Sequence, residues 1–166
     1  MYIKLFWLWL PALFVKYITV ISQTSADEVL QYIPFAKQKI RIIHNPVDER
    51  FTFSPKEKLA KLPKILHLGT KTNKNLERTI SALKGITCEL WIVGRLNPGQ
   101  KSALQENNMR YKNFLDLPYE EIIRLYRECD LVSFPTLYEG FGMPLIEAQA
   151  SGRPVLAGDI DVLHEV

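Results

Sequence analysis

Short apolar runs alternate with amphipathic stretches along most of the chain. "KILHLGT", "CELWIVG", "DLVSFPT" and "RPVLAGD" are nearly continuous apolar segments, the first two stopping at Gly69 and Gly94. Runs of this kind read as strands covered on both faces. Between them the spacing turns helical. "NLERTISALKG" is closed by Gly85, "GQKSALQENN" is a weaker helical stretch, and "PLIEAQASG" predicts a helix from Pro144 to Gly152. "PYEEIIRLYREC" is amphipathic, with Pro118 near its start and Ile122, Ile123, Leu125 and Tyr126 on its apolar side. "YKNFLDL" reads as a short strand and loop. Upstream, "SADEVLQYI" opens with capping-box spacing from Ser25 to Glu28, and "KIRIIHNPVD" is a short strand ending in an Asn-Pro turn. "FTFSPKEKLAKLP" is polar and proline-bounded and reads as a linker, with Lys56, Lys58, Lys61 and Lys64 on a solvated face.

Strand and helix in alternation, with short connections, predict parallel strands joined by crossover helices. The expected fold is α/β, a Rossmann-like doubly wound parallel sheet. Ligands on such sheets bind at the carboxyl ends of the strands. The loops there are "GTKTNKN", "GRLNPG", "FLDLP" and "PTLYEGFGMP".

The first stretch, "MYIKLFWLWLPALFVKYITVIS", is strongly apolar. A membrane span needs about 20 apolar residues in a row, and Lys4, Pro11 and Lys16 interrupt this one. It is read as an aromatic-rich helix over residues 1–22 that packs on another surface. A membrane-surface contact and a signal or anchor segment are the alternatives.

Composition narrows the function classes. The chain has 166 residues, 47% hydrophobic and 23% charged, which suits one compact domain. A net charge of +3 is too mild to argue for nucleic acid, and it is compatible with an anionic small ligand. Cys88 and Cys129 have neither metal nor disulfide spacing, which suits a reduced, cytoplasmic setting.

The candidate chemistry concentrates in "YEGFGMPLIEAQASGRPV", residues 138–155. Gly140 and Gly142 permit close backbone approach to a ligand. Pro144 suits the first helical turn, where amides around Met143 to Leu145 would form an anion site. Glu139 precedes that turn and Glu147 lies about one turn inside it. Amides for phosphate and carboxylates for hydroxyls suit a nucleotide sugar. Two ordinary helix-entry acids are the equal alternative on spacing alone.

"EGFGMPLIEAQASGRPVLAGDI" resembles the E-x7-E segment of retaining glycosyltransferases of family 4, which have the GT-B fold. "TVISQTSADEVL", "KIRIIHNPVD", "ILHLGTKTNKNLERTISAL", "CELWIVGRL" and "DLPYEEIIRLYRECDLVSFPTLYEGFGMP" follow in the order this family shows, so the likeness covers nearly the whole chain. The resemblance implies a nucleotide-sugar donor, UDP- or GDP-linked, transferred with retention and without a metal. Mannosyltransferase-like enzymes of polysaccharide assembly are the subgroup it is similar to. It implies that Glu139 lies near the donor sugar and acts with Lys74 in catalysis, and that Glu147 binds the ribose hydroxyls. Gly140, Phe141, Gly142, Met143 and Pro144 match the stretch that holds sugar and phosphates. Lys74 matches the cation on the diphosphate, and Gly69, the glycine at the strand end, is counted among the donor-binding residues. The family's arginine after that glycine is absent: Thr70 stands there, and Lys71 or the Thr70 hydroxyl is its nearest substitute. Phe114 and Leu115 match the region near the base. Arg95 follows a strand-end glycine and is either a nucleotide contact or a solvated side chain.

Asp159 to Asp161 form a D-x-D, but the resemblance implies no metal role. His67, inside an apolar strand, is read as a satisfied core residue. The expected organisation is an apolar helix over 1–22, a remnant of an acceptor domain, then a connecting segment over 23–61. An incomplete donor-binding domain over 62–166, the C-terminal half of a GT-B enzyme, follows. The implied partners are the donor, a glycan or lipid-linked acceptor, the missing acceptor domain and a peripheral membrane contact, at the inner face of the cytoplasmic membrane. Alone, such a half is expected to transfer little or nothing. A noncatalytic nucleotide-sugar-binding module needing a partner chain and a membrane-associated protein are the rival functions.

Overall fold

A computed structural model describes residues 5–58 and 60–166, and the chain divides into two compact units. The first comprises Met1–Pro46, Glu139–Gly142 and Asp161–Val166. Within it, a π-helical turn at Leu5–Trp9 runs into helix α1, Leu10–Phe14. The predicted helix over 1–22 is therefore too long. It stops at Phe14, Val15 turns extended, and strand β1 occupies the β-branched run Ile18–Val20. Residues 1–4 of that expectation lie outside the described residues. Strand β2, Ile40–Ile42, pairs with β1 in parallel. Helix α2, Gln23–Tyr32, lies between them in the chain. Its N-cap is Ser22 and not Ser25: Ser22 is extended at φ −155° and its hydroxyl accepts from the Ser25 amide at 2.9 Å.

The second unit comprises Val47–Tyr138 and Met143–Ile160. It holds strand β3 at Lys64–Leu68, helix α3 at Leu76–Ala82, strand β4 at Glu89–Val93 and helix α4 at Pro98–Glu106. Strand β5 follows at Tyr111–Phe114, helix α5 at Tyr119–Glu128, strand β6 at Leu131–Phe134, helix α6 at Met143–Ala150 and strand β7 at Val155–Ala157. The five strands form one all-parallel sheet in the order β5-β4-β3-β6-β7. Alternation along the strands splits the core. Ile65, Leu90 and Ile92 pack with Leu76, Ile80 and Leu104 of α3 and α4. Leu66, Trp91 and Val132 pack with Leu125, Tyr126 and Ala148 of α5 and α6. Helices thus cover both faces, and the sheet is doubly wound, as the continuous apolar runs predict.

The segment before β3 is not a solvated linker throughout. Phe51 is buried against the α5 side of the core. Lys56 donates to the buried Asp130 carboxylate at 2.8 Å and to the Glu128 carbonyl at 2.7 Å. Lys64 lies 4.5 Å from the Trp91 ring centroid. Arg153, also buried, donates to the carbonyls of Tyr126, Ser54 and Arg127, capping the last turn of α5 and holding this segment down. A short helix α7, Asp161–Glu165, follows β7 and belongs to the first unit.

Candidate functional site

The strand order reverses beside β3. The chain runs from β3 outward to β4 and β5, then returns to β6 on the other side of β3. A crevice opens at the carboxyl ends of strands where such a reversal occurs. Gly69 ends β3 at φ 90°, its amide bonded to the Val93 carbonyl at 2.8 Å. A Cβ there would lie 2.9 Å from Lys74 Cγ, so the Lys74 stem folds directly over the glycine. The Lys74 ammonium sits 5.2 Å from the centroid of Phe134, the last residue of β6. This lysine therefore stands at the switch point itself.

Two asparagines latch the loops on either side. Asn73 accepts from the Leu137 amide at 2.8 Å and the Thr136 hydroxyl at 3.0 Å, and donates to the Tyr138 carbonyl at 3.2 Å. Asn75 is left-handed at φ 59° and donates to the Pro135 carbonyl at 3.1 Å. Neither was singled out from sequence. The signal was there in "TNKN", since asparagine tolerates the left-handed region and bonds nearby backbone.

The remaining predicted residues of this unit take several positions. Thr70 donates its hydroxyl to the Arg95 carbonyl at 2.7 Å, so that proton is not available to replace the missing arginine. Gln100 holds the Thr70 carbonyl at 2.9 Å from the capping box of α4. The Arg95 and Lys71 side chains are exposed. Phe114 ends β5 edge-on to Trp91 at 5.8 Å and accepts from the Gly94 amide, while Leu115 is exposed beyond it. His67 is buried, but it is not satisfied as expected. Its Nδ1 is 3.4 Å from the Thr79 hydroxyl, which in turn meets Ser133 at 3.0 Å, and its Nε2 has no hydrogen-bond partner. Burial, with the Lys74 charge adding to it, lowers the imidazole to a pKa of about 4.

Glu147 lies in α6, the helix that follows β6, and is 8% exposed. The Tyr126 hydroxyl donates to its Oε2 at 2.7 Å. Burial raises the Glu147 pKa, the Tyr126 hydrogen bond opposes that rise and the Asp48 charge adds to it. Met143 and Pro144 form the start of the same helix, as expected for proline in a first turn.

Glu139, Gly140, Phe141 and Gly142 belong to the first unit. The Gly140 carbonyl accepts from the hydroxyls of Ser22 at 2.8 Å and Ser25 at 3.2 Å, at the start of α2. Gly142 has φ 101°, and a Cβ there would overlap Leu163 of α7. Gly142 thus answers to packing within the chain, whereas a Cβ at Gly140 would make only ordinary contacts. Phe141 is buried and meets His44 edge-on at 5.5 Å, and Glu139 is half-buried. Among the described residues, no cluster of three or more His, Cys, Asp or Glu side chains is placed to hold a metal ion, and no helix is long and apolar enough to cross a membrane.

The pattern of the glycosyl transferases group 1 family matches residues 62–166. The chain is 31% identical over 173 aligned positions to the serotype-specific mannosyltransferase WbdA of Escherichia coli, across 88% of this chain and 21% of that protein. It is 30% identical over 159 positions to the O-antigen chain mannosyltransferase RfbU of Salmonella typhimurium, across 91% of this chain and 44% of that one. The crystal structure of Anabaena Alr3699/HepE in complex with UDP-glucose aligns at a TM-score of 0.76 and 20% identity, across 95% of this chain and 48% of that one. The chain spans less than half the length of these relatives. It belongs to the glycosyl transferases group 1 family, and its five-stranded parallel sheet has the Rossmann-like fold of the C-terminal domain of GT-B glycosyltransferases.

Proposed function

We propose that this chain is the donor-binding half of a retaining glycosyltransferase of family 4. It takes a sugar, mannose on the strength of WbdA and RfbU, from a UDP- or GDP-linked donor to a glycan or lipid-linked acceptor in polysaccharide biosynthesis. The observation that carries this reading is Glu147. It is a buried carboxylate held by a phenol, on the helix that leaves the switch point of a doubly wound sheet. Buried ionisable groups whose surroundings shift their pKa cluster at functional sites.

Each residue has a stated part. Glu147 accepts hydrogen bonds from the ribose diol, the chemistry a carboxylate offers and an amide offers less well. Lys74 meets the diphosphate, where negative charge grows as the sugar–phosphate bond breaks, and a fixed cation stabilises that charge without a metal. With the Thr70 hydroxyl committed to Arg95, Lys74 carries that role with exposed Lys71 as its neighbour. Glu139 and the backbone of Gly140 to Pro144 take the sugar and phosphate roles that the E-x7-E frame implies. Phe114 and Leu115 border the base. The enzyme works at the cytoplasmic face of the membrane, where lipid-linked acceptors are met.

The test is calorimetric titration with UDP, GDP and ADP in the absence of metal, beside Glu147→Ala. One nucleotide is expected to bind, and the variant to bind it about tenfold or more weakly, the worth of a hydrogen bond to a charged group. A folded chain that binds none of the three defeats the reading. Equal affinity in the variant removes Glu147 from the site.

A further inference from the structure

Glu147 has an unusual setting for an ionised group. It is nearly enclosed, and its Oε2 accepts from the Tyr126 hydroxyl at 2.7 Å. Tyr126 is itself wholly buried and held at both ends. Its ring meets Phe51 edge-on at 5.3 Å and 88°, and its carbonyl accepts from Arg153 Nε at 2.9 Å and from the Cys129 thiol. A rigid donor of this kind sets the plane and tilt of a carboxylate. It occupies Oε2 and leaves Oε1 as the acceptor for another partner.

A core built for stability alone would place an apolar pair here, because a buried carboxylate with one neutral donor is a net burden. Resting on the donor-site reading above, we infer that Tyr126 is a positioning residue for nucleotide recognition: its hydroxyl aims Glu147 and keeps it ionised, so that Oε1 receives the ribose diol. Tyr126 touches no substrate in this scheme and acts only through Glu147. The other charged and titratable groups around the pair are Asp48, whose charge disfavours ionised Glu147, then Tyr119 and Cys129 at the two ends of α5 and Arg50, which pairs with Asp48 at 2.7 Å. Burial raises the Tyr126 phenol well above its ordinary value, so it remains a donor throughout the working range.

The test compares the nucleoside diphosphate that the chain binds, UDP or GDP, with its 2′,3′-dideoxy counterpart, in the wild type and in Tyr126→Phe. The wild type is expected to prefer the ribonucleotide, and Tyr126→Phe to shrink that preference about tenfold with little change toward the dideoxy form. The acid limb of ribonucleotide affinity should also move to higher pH in the variant, because loss of the donor leaves Glu147 easier to protonate. A purely structural role would weaken both nucleotides alike and leave the pH limb in place, and that result overturns the inference. Preference in the wild type that Tyr126→Phe retains in full overturns it too, while leaving Glu147 as the ribose acceptor. No preference in the wild type overturns both. Should Tyr126→Phe not fold, 3-fluorotyrosine at position 126 keeps the shape and strengthens the donor. The acid limb is then expected to move to lower pH, and an unmoved limb overturns the inference.

Discussion

His67 shows how far a single residue can be read ahead of its surroundings. An apolar strand places it inside, and it is inside. Its partners come from elsewhere: Thr79 from α3, and Ser133 from β6, directly across the ladder. One ring nitrogen still lacks a partner, and burial together with the Lys74 charge disfavours the protonated form in the folded chain. The ordinary pKa of 6.5 falls to about 4, so the neutral ring's contribution is complete above 6.5 and is lost as pH drops from 6.5 to 4, where only the unfolded chain takes up the proton. Over that window the wild type is expected to lose on the order of 3 kcal/mol from this group. Urea midpoints at pH 7, 5.5 and 4, for wild type and His67→Gln, read it directly; identical slopes in the two would show that His67 does not titrate this way. Glu147 was legible as the second acid of an E-x7-E spacing. Its phenolic partner was not, because Tyr126 sits 21 residues earlier and its apolar neighbours made it read as plain core.

At the level of elements, period and punctuation were sufficient where the signal is local. The strands over Lys64–Leu68, Glu89–Val93 and Leu131–Phe134 and the helix over Tyr119–Glu128 stand where their apolar runs put them. Errors fall where packing or geometry chooses among local options. Ser22 caps α2 in place of Ser25 because it is the residue with extended backbone. The N-terminal apolar run divides into helix and strand because β1 finds β2 to pair with. The lysine-rich stretch before β3 looked solvated, yet Lys56 reaches Asp130, a carboxylate only 1% exposed. Burial works to raise the Asp130 pKa, but hydrogen bonds from Lys56 and the Lys64 amide outweigh it and the net shift is downward. That stabilisation is present above the ordinary value of 3.8 and is lost as pH falls through the lower folded value. Asp130→Asn should therefore flatten the acid unfolding limb below pH 4. Lys56→Ala should lower stability at pH 7 by about 1–2 kcal/mol, the buried-pair cost reduced for the partly exposed lysine. Chemical denaturation of both variants would measure this, and no loss in either would make the pair incidental.

For the whole molecule, the family match covers the sheet-bearing region, and the relatives are more than twice as long as this chain. Donor binding and sugar transfer are therefore separable questions. We expect the chain by itself to bind nucleotide and to transfer no sugar, checked with radiolabelled GDP-mannose and UDP-glucose against glycan and lipid-linked acceptors. Any clean transfer by this chain would sink that expectation. What the amino-acid sequence determined by itself was the class of the sheet, the direction of its strands and the loops at their carboxyl ends. Apolar runs too continuous for a one-sided sheet, joined by short helical crossovers, permit little else. Tertiary structure alone decided the strand order β5-β4-β3-β6-β7, and with it the position of Lys74 at the switch point. It also decided that Gly142 answers to Leu163, that Thr70 bonds to Arg95, and that Glu147 rests on Tyr126. Those pairings join residues far apart in the chain, and no local period encodes which distant donor will fill a given acceptor. That choice is made only when burial removes water as the competing partner.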